Sequence, residues 1–369
     1  MLGSSGLLFL LVLCGQSLSQ KVKPYFIEDI NKDVDTTNLR IVSGWEATPG
    51  QHPHHAALRM VDPTGGVFAC GGSIVHREWV ITAAHCVAGR ITVVIRAGVT
   101  NLTTPEYISE STEWYNYPTY DDTRPNLVQP NDISLLRLHR PVVFTRYLQP
   151  IRVQSSADAF RNYDGLTVYA SGHGRLWTNG ATPEVLNWVY LRAVANPTCA
   201  LNFGTLITPN AICARFFNVT SQSTCQGDSG GPLVHVDPEG VPILIGVTSF
   251  VAGGEFGCHS GFPAGFIRPG PFHDWFYRVS GVDFENLDHD EVTEEPEPET
   301  TTSPPTTVTP EPEEEEDSGE DSEEDSEEDP DLSELLKKLE VKVKVKVKVN
   351  KFKLKKKVHV KKRIPARSH

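Results

Sequence analysis

The sequence predicts an all-β domain of about 240 residues, the size of one double-barrel unit, set between an N-terminal leader and a charged C-terminal tail. Three observations predict it. Short apolar runs rich in β-branched residues recur at Trp79–Ala83, Ile91–Arg96, Ile133–Leu138, Leu166–Ala170, Trp188–Ala193 and Ile243–Phe250, punctuated by Gly and Pro. Six of the seven cysteines fall within this stretch. Charge is segregated outside it: residues 1–280 carry 19 Lys and Arg against 21 Asp and Glu, whereas 25 acids and no base lie between Asp283 and Glu334, and 15 bases against the single acid Glu340 lie between Lys337 and Arg367. With 369 residues and 39% hydrophobic content the chain can bury a sizeable core, and its near-neutral body argues against nucleic-acid binding.

The elements follow in order. Leu7–Leu13 is a short apolar run, and Ser17 and Ser19 form a small-x-small cleavage site, so residues 1–19 read as a signal peptide. No stretch reaches the roughly 18 apolar residues of a membrane-crossing helix, which predicts a secreted, soluble protein. Residues 20–40 are polar, lack cysteine and end at Arg40 before the apolar Ile41-Val42; the β domain then spans 41–280. At its end the aromatics of Phe272–Val279 share one helical face. Residues 281–331 are rich in Thr, Pro, Glu, Asp and Ser, cannot bury enough apolar area to offset their ordering entropy, and are expected to form a disordered stalk. Residues 332–369 form a basic segment, in which amphipathic Leu332–Leu339 leads into Val341–Val349, where Val and Lys alternate as in a strand with one apolar face.

In an oxidising compartment Cys70, Cys86, Cys199, Cys213, Cys225 and Cys258 read as disulfides, with 15 possible connectivities. Zinc is the competitor, but the chain has no Cys-x-x-Cys pair.

Three segments carry chemistry together: Thr82-Ala83-Ala84-His85-Cys86 after an apolar strand, Asn131-Asp132-Ile133-Ser134 at the start of another, and Cys225-Gln226-Gly227-Asp228-Ser229-Gly230-Gly231-Pro232. A lone His beside an apolar strand is usually a core histidine and a lone Asp before a strand a turn residue. Their co-occurrence with Gly-Asp-Ser-Gly-Gly-Pro changes that reading. In these motifs the chain resembles the chymotrypsin-like serine peptidases, and most closely the insect and crustacean chymotrypsin and collagenase (brachyurin) branch, from Ile41 to about Ser280.

The resemblance implies two packed antiparallel Greek-key barrels with a C-terminal helix, and a triad of His85, Asp132 and Ser229. Ser229 would attack a peptide carbonyl, His85 would take and return its proton, and Asp132 would fix the imidazole tautomer. The amides of Gly227 and Ser229 would form the oxyanion hole. Cleavage after Arg40 by a trypsin-like protease would free the Ile41 amine to pair with Asp228, switching a zymogen on. The family pairing of cysteines would be Cys70–Cys86, Cys199–Cys213 and Cys225–Cys258. Protein or peptide substrates, and protein inhibitors of proteases, are the implied partners. No cofactor or metal is expected.

By the same resemblance the specificity pocket is built from Ser223, Ser249, Val251 and Ala264. None is acidic, so a P1 Lys or Arg would lack a counter-charge, and Val251 would narrow the pocket toward apolar side chains, chymotrypsin-like to elastase-like. His52, His54 and His55 replace apolar or aromatic residues on the first strand; alternation puts His54 and His55 on opposite faces, so they are poor joint metal ligands. His173 stands where the family usually has Trp and is expected at the surface near the substrate groove. Asn101-Leu102-Thr103 and Asn218-Val219-Thr220 are glycosylation sequons. Residues 41–280 hold 15 Arg and no Lys, which suits an alkaline digestive lumen, where Lys would titrate near 10.4.

A second class of function stays open at this point: a protease-fold binding protein that engages polyanionic matrix, membrane or mineral through its tail. The basic run suits an anionic surface, and Ser318, Ser322 and Ser326, each with Glu two residues on, suit phosphorylation and loose calcium binding.

Overall fold

A computed structural model describes residues 23–26, 44–177, 181–253, 257–258 and 260–287. The expected signal peptide, the Arg40–Ile41 junction, the acidic segment from residue 288 on and the whole basic segment lie outside the described residues.

Sixteen strands are described: β1 (Pro24–Phe26), β2 (Trp45–Glu46), β3 (His55–Val61), β4 (Val67–His76), β5 (Trp79–Thr82), β6 (Thr92–Ala97), β7 (Tyr107–Ser111), β8 (Trp114–Asn116), β9 (Ser134–Arg137), β10 (Arg152–Val153), β11 (Thr167–Gly172), β12 (Asn187–Val194), β13 (Ala211–Phe216), β14 (Pro232–Val236), β15 (Pro242–Ala252) and β16 (Ala264–Ile267). All six apolar runs singled out in the sequence lie on strands. Those faced on both sides by core read as unbroken apolar runs, as in β5, where all four residues are buried; β6 instead alternates, with Val93, Ile95 and Ala97 turned inward.

The first seven-stranded sheet runs β7-β6-β3-β4-β5-β9-β8 and is a curled half-barrel. The second runs β15-β14-β11-β12-β13-β16, and pairing of β16 back onto β15 closes it into a six-stranded barrel. β10 adds to β15 as the parallel exception. The chain is therefore the all-β double barrel that the sequence predicts.

Close approach of the sheets depends on missing side chains. A Cβ on Gly72 of β4 would sit 2.7 Å from Val80 of β5, and one on Gly71 would sit 2.9 Å from the Cα of Gly231, ahead of β14. The main core gathers Leu58, Ile74, Ile81, Ile95 and Leu135 of the first sheet and continues through Val234, Leu244 and Ile267 of the second. The expected C-terminal helix is present as a 3-10 turn at Gly270–Phe272 followed by an α-helix, His273–Ser280. Phe272, Trp275 and Phe276 are buried in this core, and Tyr117 meets the first two edge-on. Each such ring contributes about 1.5–3 kcal/mol by leaving water.

Two features depart from expectation. Packing does not stop at Ser280: Phe284 is 1% exposed against Phe276, and Glu285 Oε1 accepts from the Ser156 amide. Within the polar leader, Pro24–Phe26 is a strand, paired antiparallel with Phe250–Ala252 of β15. No periodicity marks it, because its partner supplies the structure: β14 pairs β15 only up to Val247, leaving that side of Phe250–Ala252 open.

The cysteines pair as Cys70–Cys86, Cys199–Cys213 and Cys225–Cys258, the connectivity the resemblance implies. Zinc is thereby set aside as their role. Three disulfides fit an oxidising, extracellular compartment.

Candidate active site

His85 is the second residue of the single-turn helix α1 (Ala84–Val87), which β5 delivers and the Cys70–Cys86 disulfide ties to β4. Asp132 lies two residues before β9, and Ser229 three before β14. The fold brings segments 47 and 97 residues apart in sequence to one place.

Asp132 is fully buried, and its charge is met by three donors. The His85 backbone N–H donates to Oδ1 at 2.8 Å, His85 Nδ1 lies 2.6 Å from Oδ2, and the Ser249 hydroxyl donates to Oδ2 at 2.6 Å. Such donors offset the cost of burying a carboxylate. With Nδ1 facing the carboxylate as donor, Nε2 is left as the basic nitrogen of His85. Tyr120 lies against Ala84 and Ala88; burial, then the charge of Asp132, pushes its hydroxyl's pKa up. Ser249, expected in the pocket wall, also gives its hydroxyl to Asp132.

Asn131 is a residue the sequence reading missed. Among the described residues it alone combines a side chain with positive φ, 57°. Its amide donates to Thr119 Oγ1 at 2.9 Å and accepts from Asn210 Nδ2 at 2.8 Å, fixing the chain just before Asp132.

The Ser229 loop is anchored on both sides. The Gly71 amide of β4 donates to Ser229 O at 2.7 Å, and Thr248 of β15 exchanges bonds with Gly230 and Gly231 at 2.8 and 2.9 Å. Gly230 has φ 75°, and a Cβ there would strike Thr82 Oγ1 and the Gly71 carbonyl. Ser229 Oγ is buried and makes no hydrogen bond among the described residues. The amides of Gly227, at φ 99°, and Ser229 donate to no acceptor among those residues either, which leaves them able to bind a developing oxyanion.

Asp228 turns away from Ser229. Its Oδ1 accepts from the Gly174 amide and its Oδ2 from the Cys225 amide, each at 2.8 Å. A Cβ on Gly172 or Gly174 would collide with this carboxylate, a requirement that only the spacing Ser171-Gly172-His173-Gly174 hints at in the sequence. Gly44, Asn187, Trp188, Ser223, Cys225 and Asp228 line one cavity beside the loop.

Val251 and Ala264 are buried in one apolar cluster with Cys225 and Cys258. The ring of Phe250, between Ser249 and Val251, lies over Gly265, where any Cβ would strike it. Asn101 and Asn218 both lie on loops; Asn101 Oδ1 accepts from Thr103, and Asn218 is exposed.

The histidines are the main surprise. His52 and His54 precede β3 rather than lying on it, and all of His52, His54 and His55 are buried. His173 is not at the surface: it is 7% exposed, its ring 5.5 Å from that of His55, which meets Ser171 Oγ through Nδ1 at 3.2 Å. His52 packs on Tyr169 and Trp188 at 5.0 and 5.4 Å. Burial lowers His52 and His173 to about 4 and His54, with His52 adding to the effect, to about 3. Burial, then the neighbouring histidines, holds His55 well below its usual value.

The family model described as Trypsin matches residues 41–276. The chain belongs to the trypsin family. It is similar to a collagenase of Hypoderma lineatum, 32% identical over 66% of this chain and 89% of the relative. It is also similar to chymotrypsin-like elastase family member 1 of Rattus norvegicus, 33% identical over 67% and 92%, and to serine protease 1 of Drosophila melanogaster, 34% identical over 72% and 92%. Among solved structures, HL collagenase matches with a TM-score of 0.58 and 31% identity, covering 66% of this chain and 99% of that one. As a member of this family the protein is a chymotrypsin-like serine endopeptidase, acting on protein or peptide substrates.

Proposed function

We propose that this trypsin-family protein is a secreted endopeptidase, made as a zymogen, that cleaves after apolar P1 residues through an acyl-enzyme. The observation that carries the reading is Asp132, buried and held by Ser249 and by two bonds from His85. In the proposed cycle Nε2 of His85 takes the Ser229 proton as Oγ attacks the scissile carbonyl. The amides of Gly227 and Ser229 receive the oxyanion, His85 returns the proton to the leaving amine, and water repeats the sequence on the acyl-enzyme.

Activation would follow cleavage after Arg40. Gly44 and Asp228 line one cavity, and Ile41 is only three residues from Gly44, a reach of about 10 Å in extended chain, so the freed amine can meet the carboxylate. An apolar P1 preference is supported by the apolar company of Val251 and Ala264 and by Ser223 in place of an acid. The three disulfides and the leader's apolar run support secretion.

The test is to cleave the chain after Arg40, label it with a fluorophosphonate and profile it on peptides that differ only at P1. Labelling at Ser229, lost in Ser229→Ala, with Leu, Phe or Ala far ahead of Arg and Lys, is the expected result. Full activity in uncleaved Arg40→Gln would overturn the zymogen reading, and a preference for Arg would overturn the pocket.

A further inference from the structure

The leader strand β1 does more than precede a cleavage site. It lies on the side of β15 that β14 vacates after Val247, with Pro24 opposite Ala252, Tyr25 opposite Val251 and Phe26 opposite Phe250. The Gly253 amide donates to the Lys23 carbonyl at 3.1 Å, which marks Lys23 and Gly253 as a hydrogen-bonded pair. Antiparallel alternation makes Tyr25 and Val251 the next such pair and leaves Pro24 where no N–H is needed.

Direction matters as much as register. Residue numbers in β1 rise from Ala252 toward Phe250, hence toward Ser249, whose hydroxyl binds Asp132, and Thr248, whose backbone binds the Ser229 loop. A peptide presented to Ser229 in extended form needs an open strand edge that ends at the nucleophile. β15 has that edge, and Lys23–Phe26 occupies it.

We infer that the leader is an intramolecular occupant of the edge that receives extended substrate, competing for the N–H and C=O of Val251 and for the Gly253 amide. This inference rests on the endopeptidase reading above and adds a regulatory role to the leader, beyond its cleavage. No disulfide ties the leader to the domain, since every cysteine of residues 20–280 is paired within 70–258. Cutting after Arg40 therefore releases a 21-residue peptide, Gln20–Arg40, that leaves by dissociation alone. Until it leaves, the cleaved enzyme is held back.

The experiment uses the full chain, cleaved after Arg40, and synthetic peptides of residues 20–40 with and without Tyr25→Pro, a change that removes the N–H facing Val251. The wild-type peptide should raise KM for a short peptide substrate with kcat unchanged, and the Tyr25→Pro peptide should bind at least tenfold more weakly. Freshly cleaved wild-type chain should gain specific activity on dilution, whereas cleaved Tyr25→Pro chain should show none of this gain. Peptides that are both inert, or equally inhibitory, would overturn the inference.

Turnover and fluorophosphonate labelling without added peptide report on the endopeptidase reading separately. If turnover is absent altogether, amide exchange in the uncleaved chain still decides the strand. Protection of Val251 and Gly253 that drops in Tyr25→Pro upholds it, and protection identical in both proteins sinks it.

Discussion

Asn131 shows how a single residue can carry geometry that no catalytic motif announces. A left-handed backbone costs a residue with a side chain about 1–3 kcal/mol, and asparagine tolerates it best among them. Here two side-chain bonds, to Thr119 and from Asn210, fix the turn that presents Asp132. Asn131→Ala is expected to lower stability by about 1–2 kcal/mol and to reduce kcat more than it changes KM, because Asp132 loses its fixed aim at His85. Asn131→Gly, which accepts the same φ, should recover part of kcat. Steady-state kinetics and thermal melts on both variants check this, and an unchanged kcat in Asn131→Ala would show that Asp132 is held without it. Motifs such as Gly-Asp-Ser-Gly-Gly-Pro are legible because the chemistry fixes residue types within a few positions. Gly172 and Gly174 are not, because what forbids a side chain there is Asp228, more than 50 residues on. The same holds for His173, which is buried against His55, a residue of β3 more than 100 positions earlier.

At the scale of elements, the sequence marks the strands that build their own face and misses those that borrow one. The six apolar runs and the terminal helix carry enough apolar area to declare themselves. The strand Pro24–Phe26 carries no such pattern, because the vacant edge of β15 imposes it. Phe284 is a similar case, one aromatic in an acidic stretch, drawn into the core by Phe276 at 5.7 Å and His76 at 6.4 Å. Phe284→Ala should cost about 3–5 kcal/mol, the usual range for a buried Phe. Ending the chain after Leu287 should therefore leave the melting temperature and the hydrolysis of small peptides unchanged, while ending it after Ser280 should lower the melting temperature. Equal melting temperatures for the two truncations would place the end of the domain at Ser280 after all. The arginines, too, take their meaning from the elements: among the described residues eight lie over aromatic rings, with Arg90 3.8 Å from the centre of Phe68. A planar guanidinium stacks in a way that an ammonium does not, so ring stacking supplies a reason for Arg without Lys that needs no alkaline surroundings.

Across the whole molecule, four buried histidines lie where β3 meets the loop after β11, and burial keeps them neutral in the folded state. Their folded pKa values lie below the unfolded 6.5, so the unfolded chain binds more protons between them. The stability they allow is fully present above pH 6.5 and declines as pH falls from there toward about 4, where His52 and His173 titrate, and on toward about 3 for His54. Melting temperatures should be flat from pH 8 to 7 and drop steadily below 6.5. His52→Phe, which keeps a ring against Tyr169 and Trp188, should shallow that drop, and an unaltered slope would remove His52 from the account. Among the bonds that join the two sheets is the one from the Gly71 amide to the carbonyl of Ser229 itself. With Ser229 as the proposed nucleophile, that bond makes it a gauge of alignment between the halves of the domain. A slip of an ångström between them, too small to unpack either core, would already draw Ser229 out of line with His85, so catalysis should fade on gentle heating while the tryptophans still report an intact protein.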